Sequence, residues 1–239
     1  MKGAGMRNRF DRVVLSLNKK NSTVIVLGII GIFYAVGILG HGLPTTFGLM
    51  ILLTPGFLSL FAFITIFLAL VQDSVRTPLK PHLLWIIFAY LVTFTLEAIG
   101  VATGIIFGAY SYGASLGPRL FDTPLIIGLN WVIVILGITV AVRRFWASPF
   151  GVAIVSGFLA VIFDIILEPL AIDPRMDYWT WAGEVVPLHN YFAWFLISFG
   201  FSFTYVGLVK NPLKSLILPG YWIIQMIFFL AIRLFVLGV

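Results

Sequence analysis

The sequence predicts an all-α integral membrane protein, a bundle of seven transmembrane helices with its N-terminus cytoplasmic and its C-terminus outside. Three observations carry this. The 239 residues are 61% hydrophobic and only 10% charged, which leaves too little polar surface to cover a soluble domain. Seven stretches reach or approach the roughly 20 apolar residues that cross about 30 Å of hydrocarbon. Basic residues also segregate to alternate connections, as orientation in a bilayer requires.

The spans fall at about 23–40, 47–71, 82–106, 124–142, 149–168, 189–209 and 215–237. The first follows a basic segment, 1–22, holding Lys2, Arg7, Arg9, Arg12, Lys19 and Lys20. Its charged region is long and no small-residue cleavage site precedes His41, so a retained anchor is expected rather than a cleaved signal. Pro44 precedes the second span, Pro78 and Pro81 the third, Pro124 opens the fourth and Pro149 the fifth. Pro169, Pro187 and Pro212 fall in later connections, as helix starts and stops require. Pro55 and Pro219 lie inside the second and seventh spans and are expected to kink them. With no repeat or low-complexity tract, residues 23–239 read as one membrane domain.

Lys and Arg divide twelve against three. The N-terminal segment, Arg76, Lys80, Arg143, Arg144, Lys210 and Lys214 lie at one end, and Arg119, Arg175 and Arg233 at the other. The positive-inside rule puts the first group in the cytoplasm. Seven acids, Glu97, Asp122, Asp164, Glu168, Asp173, Asp177 and Glu184, fall at the opposite end.

Several functions are excluded. The net charge of +6 is spread over short loops, so nucleic acid is not an expected partner. Without cysteine there is no disulfide, thiolate nucleophile or Cys-ligated metal. No nucleotide-binding glycine loop, HExxH pair or DDxxD-type run occurs. His41, His82 and His189 are scattered, and the seventh span has no Lys for a retinal Schiff base. No cofactor is expected, although carboxylates alone can hold a hard cation.

Glu97, Asp164 and Glu168 sit inside or at the ends of apolar spans, where a carboxylate is costly unless paired, hydrated or neutral. At about 1.5 Å per residue, Glu97 lies roughly 22 Å along the third span, in its outer half. Asp164 and Glu168 are spaced i, i+4 on one helical face. Two acids that close in a low dielectric cannot both ionise cheaply, so one should keep a proton and serve as a general acid. The bland alternatives are an interfacial acid pair neutralised by Arg175 or Arg233, and a structural hydrogen bond from Glu97 to Asn130 or Tyr110. Asn130 and Asn190 reach a similar depth from the fourth and sixth spans. Segments 107–123 and 169–188 are long enough to be lids over this level. Gly100, Gly104 and Gly108 read as a small-residue stripe for helix packing. Trp131, Trp179, Trp181 and Trp194 read first as an interfacial belt, although some aromatic faces could line an apolar slot.

The run LEAIGVATGIIFGAYSYGASLGPRLFDTPLIIGLNW, residues 96–131, resembles the membrane carotenoid biosynthesis protein family, which includes bisanhydrobacterioruberin hydratase and related carotenoid hydratases. DIILEPLA, residues 164–171, and the pattern of Trp179, Trp181, Gly183, Pro187, Asn190, Tyr191 and Trp194 extend the match. The resemblance implies a multi-pass cell-membrane enzyme that binds a carotenoid or other long polyisoprenoid and adds water to a terminal C=C without a cofactor. On that reading Asp164 or Glu97 donates the proton and Glu168 positions water. Asn130, Tyr110, Tyr112, Trp131, Asn190 and Trp194 complete the candidate site as substrate-binding residues. A carotenoid cyclase or isomerase using the same protonation is the alternative. A proton-coupled transporter or rhodopsin-like carrier is the alternative outside enzymes.

Overall fold

The computed structural model describes residues 3–183 and 185–238, with side chains from residue 20 onward. Lys2, Glu184 and the side chains of Arg7, Arg9, Arg12 and Lys19 therefore lie outside the described residues. The helices are α1 Gly3–Gly42, α2 Pro44–Asp73, α3 Leu79–Thr103, α4 Ile126–Val142, α5 Pro149–Ala171, α6 Leu188–Leu208 and α7 Ile217–Ala231. A π-helical turn, Ile232–Leu237, prolongs α7.

Six of these helices are long and apolar enough to cross a membrane, counting Lys20–Gly42 of α1 and Ile217–Leu237 at the C-terminal end. The chain is a multi-pass membrane protein. The remaining helix, α4, is 17 residues long, and all of them except Ile126, Asn130 and Ala141 are buried. A helix that is apolar all round belongs inside a bundle, and α4 packs against α2, α3, α5, α6 and α7. The outer helices instead turn Ile25, Phe63, Phe67, Phe88 and Phe192 outward, the surface that lipid tails cover.

Prolines and small residues set the ends. Pro44 and Pro149 stand in the first turns of α2 and α5, where a missing N–H costs nothing, and the Ser148 side chain caps α5 by accepting from the Gly151 N–H at 3.5 Å. Gly104 ends α3 in the left-handed conformation at φ 67°. Two proline expectations change. Pro219 does not kink α7, because it is the third residue of that helix, where the N–H would have no intrahelical partner. Helix α5 does not stop before Pro169 but continues to Ala171. Pro169 removes the usual donor to the Ile165 carbonyl, and Arg233 Nη1 donates to that oxygen at 3.3 Å.

The two long connections are not separate loops. Strand β1, Tyr110–Tyr112, pairs antiparallel with β4, Trp179–Trp181, matching Tyr110 with Trp181 and Tyr112 with Trp179. Between them in sequence, β2, Arg119–Leu120, and β3, Thr123–Pro124, form a short hairpin. Its turn residues Phe121 and Asp122 have φ of 52° and 58°, as a tight two-residue hairpin turn demands. Segments 107–124, 172–183 and 185–187 thus close one end of the bundle together.

Candidate functional site

Glu97 lies on α3, Asn130 and Trp131 on α4, Asp164 and Glu168 on α5, and Asn190 and Trp194 on α6, all toward the end that the β1–β4 sheet covers. Together with Tyr110 and Tyr112 they line one cavity of about 50 Å³. Every sequence-predicted site residue reaches it. The three carboxylates are buried, with 5%, 0% and 3% of Glu97, Asp164 and Glu168 exposed.

Each carboxylate has a different set of partners. Glu97 accepts from the Tyr110 hydroxyl at 2.5 Å and the Tyr112 hydroxyl at 2.8 Å on Oε2, and from the Trp131 indole N–H at 2.7 Å on Oε1. Three donors aimed at one carboxyl group suit an anion. Burial, and then the facing Glu97 carboxylate, pushes both phenols above their usual range, so Tyr110 and Tyr112 keep their hydrogens and remain donors. Glu168 Oε2 accepts from the indoles of Trp179 at 3.2 Å and Trp181 at 3.0 Å. Asn190 Nδ2 bridges the pair, donating to Asp164 Oδ2 at 2.7 Å and to Glu168 Oε1 at 3.4 Å. Asp164 Oδ1 is buried with no hydrogen-bond partner. Of the groups around the cavity, it is the carboxyl oxygen left available for a proton, a water or a substrate.

The sheet explains why these donors converge. Side chains in a strand alternate faces, so Tyr110 and Tyr112 point together to one side, as do Trp179 and Trp181, while Ser111 and Thr180 face out. One strand therefore serves Glu97 and the other Glu168. The sheet is pinned by Gly113 N–H to the Tyr178 carbonyl at 2.8 Å, by Ala182 N–H to the Ala109 carbonyl at 2.8 Å, and by Asp177 Oδ2 accepting from Ala114 N–H at 2.7 Å. Arg119 adds a brace, donating to the Tyr112 carbonyl at 3.1 Å and to the Gly113 carbonyl.

Aromatic faces line the cavity. Trp131 and Trp194 lie 4.1 Å apart between ring centroids, with Phe107 against the first and Phe163 against the second. Asn130 takes a different partner from the one sequence suggested, accepting from Gln225 of α7 at 3.0 Å rather than bonding Glu97. Arg175 does not neutralise the α5 pair, because it forks onto Asp173 at 2.8 and 2.9 Å. Those bonds hold the Asp173 carboxyl below its ordinary range. Among the described residues, no group of three or more His, Asp or Glu side chains is placed to hold a metal ion.

Sequence reasoning missed the roles of Trp179, Trp181 and Gln225. The first two had a readable signal, because YSY and WTW both alternate aromatic and polar residues with the period of a strand. Gln225 is a lone amide in an apolar span and gave no sign of its partner.

The sequence pattern of the family described as carotenoid biosynthesis protein matches residues 54–238, which takes in α2 from Thr54 onward, all of α3 to α7 and every residue of the cavity. The chain belongs to that family. Neither the comparison with curated proteins nor that with solved structures gives a match. Family membership agrees with an aromatic-lined site in a membrane bundle, since a carotenoid is a lipid-soluble polyene.

Proposed function

We propose that the protein is a carotenoid hydratase that adds water across a terminal isoprenoid C=C. The observation that carries this is one buried cavity holding three carboxyl groups with unequal partners: Glu97 saturated by donors, Glu168 held by two indoles, and Asp164 with one free oxygen. Asp164 carries the proton on Oδ1 and delivers it to the less substituted alkene carbon, leaving a tertiary cation. Glu97, an anion fixed by Tyr110, Tyr112 and Trp131, and the faces of Trp131 and Trp194 stabilise that charge. Glu168 orients a water whose oxygen bonds to the cation, then takes the water's extra proton. Its return to Asp164 completes the cycle, and the product is a tertiary alcohol.

The cavity, about 50 Å³, suits a few waters and not a polyene, so the substrate's end group enters by displacing the β1–β4 cover. Twelve basic residues against three support a cytoplasmic N-terminus, which sets this cover on the outer side. The aromatic lining favours one second reading, a cyclase in which the same cation is quenched by an internal alkene and loses a proton. Mass spectrometry of pigments from a carotenoid-producing host, with and without the protein, separates the two. Hydration adds the mass of one water per reacted end, cyclisation adds none, and an unchanged pigment profile removes both.

A further inference from the structure

The opposite end of the bundle holds a second, larger crevice, about 700 Å³, between the ends of α1, α2, α4 and α7. Four cations from separate segments converge on its rim: Lys20 of α1, Arg76 after α2, Arg144 after α4 and Lys214 before α7. All four are exposed at the surface, and none of their side chains makes an ion pair with a described carboxylate. An adjoining hollow of about 270 Å³ shares Arg144 and Lys214 and adds Arg143, whose Nε is buried without an acceptor. The wall below the rim is apolar, formed by Val24, Leu27, Leu216, Pro219 and Ile223. Val24, Leu216 and Ile223 of that wall continue onto the exposed face that lipid covers.

The position of Lys214 is fixed rather than incidental. Asp73, at the end of α2, accepts from the backbone N–H groups of Lys214 at 2.6 Å and Ser215 at 2.8 Å. This clamps the backbone of the segment before α7, where Lys214 lines the same crevice as Arg144. Gly220, where a Cβ would stand 2.4 Å from Leu27, lets α1 and α7 meet closely at the crevice floor.

We propose that this crevice binds an anionic phospholipid of the adjacent leaflet, with its phosphate among Lys20, Arg76, Arg144 and Lys214 and an acyl chain along the Val24–Ile223 wall. Charge complementarity selects the anion, because basic pockets between membrane helices take up acidic headgroups. The apolar wall selects a lipid over a free anion, since it continues from the cationic rim into the hydrocarbon-facing surface. The site lies at the other end from the acid-lined cavity and stands whether or not that cavity hydrates carotenoids.

The test uses the purified full chain in neutral detergent, titrated with phosphatidylglycerol or phosphatidylcholine and read by native mass spectrometry. Phosphatidylglycerol is expected to be retained preferentially, and the R76Q/R144Q variant to weaken it on the order of tenfold or more. K80Q/K210Q, which removes two exposed cations of the same end that do not line the crevice, is expected to leave retention unchanged. Equal loss in both variants would reduce the effect to general charge attraction and overturn the site. No preference for phosphatidylglycerol would overturn it too. Displacement of the lipid by millimolar inorganic phosphate would assign the cations to a free anion instead of a phospholipid. A thermal melt of each variant checks that the bundle is intact, and rim cations on exposed side chains are not expected to lower it.

Discussion

At the scale of single residues, the three buried acids are distinguished by their hydrogen-bond partners, and this turns a general acid–base reading into separate expectations. Asp164→Asn removes the proposed proton source and is expected to lower product formation by about 10²–10⁴-fold. Trp131→Phe takes away one of the three bonds on Glu97 and keeps most of the ring, so a loss nearer tenfold is expected, about what one charge-assisted hydrogen bond is worth. Asn190→Leu leaves the two α5 acids without their shared donor, and its cost should appear as a lower melting temperature as well as lost activity. The acids themselves were legible in the sequence, because a carboxylate in an apolar span is rare and an i, i+4 pair shares a face. Their partners were less so. Trp179 and Trp181 reach Glu168 from another connection, and a tryptophan near the end of a span is read first as an interfacial anchor.

At the scale of elements, the sequence located the apolar spans to within a few residues, since hydropathy and prolines act locally, but it missed that α1 begins at Gly3 and carries the basic segment in the same helix. It did not show that the two long connections pair as β1 and β4, because that pairing joins segments about 70 residues apart. Gly113 tests the pairing directly. A Cβ there would meet the Asp177 carbonyl and carboxylate at 2.2 Å, so Gly113→Ala must displace the sheet. Activity should fall sharply while helical circular dichroism is kept. The repeat of Gly100, Gly104 and Gly108 does not form a helix-packing stripe, because Gly104 ends α3 and Gly108, at φ 117°, lies in the loop beyond it. Gly100 instead makes room for Phe107. Close helix approach belongs to Gly157 on α5, where a Cβ would stand 2.7 Å from the Phe195 ring and 3.1 Å from its carbonyl. Gly157→Ala is expected to cost about 1–3 kcal/mol by overpacking the α5–α6 contact, seen as a lower melting temperature.

At the scale of the whole molecule, charge asymmetry and fold agree that chemistry-bearing residues gather at one end and cations at the other. Which end faces the cytoplasm is a separate matter, and the absence of native cysteine makes it simple to measure. Ala147→Cys after α4 and Thr180→Cys on the outer face of β4 provide exposed probes of the two ends. A membrane-impermeant maleimide should label Thr180→Cys in intact cells and Ala147→Cys only after lysis; the reverse pattern would invert the proposed orientation. The bundle's class was readable because lipid as solvent imposes long apolar runs, whereas the convergence of Glu97, Asp164 and Glu168 on one cavity required the packing of α3, α4, α5 and α6 around it. The most direct measurement is the mass of carotenoid formed in a pigment-producing host by the unaltered protein and by Asp164→Asn, with both proteins quantified in the membrane. Hydration predicts a new pigment heavier by one water with the first and its near absence with the second, whereas equal yields of that pigment would contradict a proton delivered by Asp164.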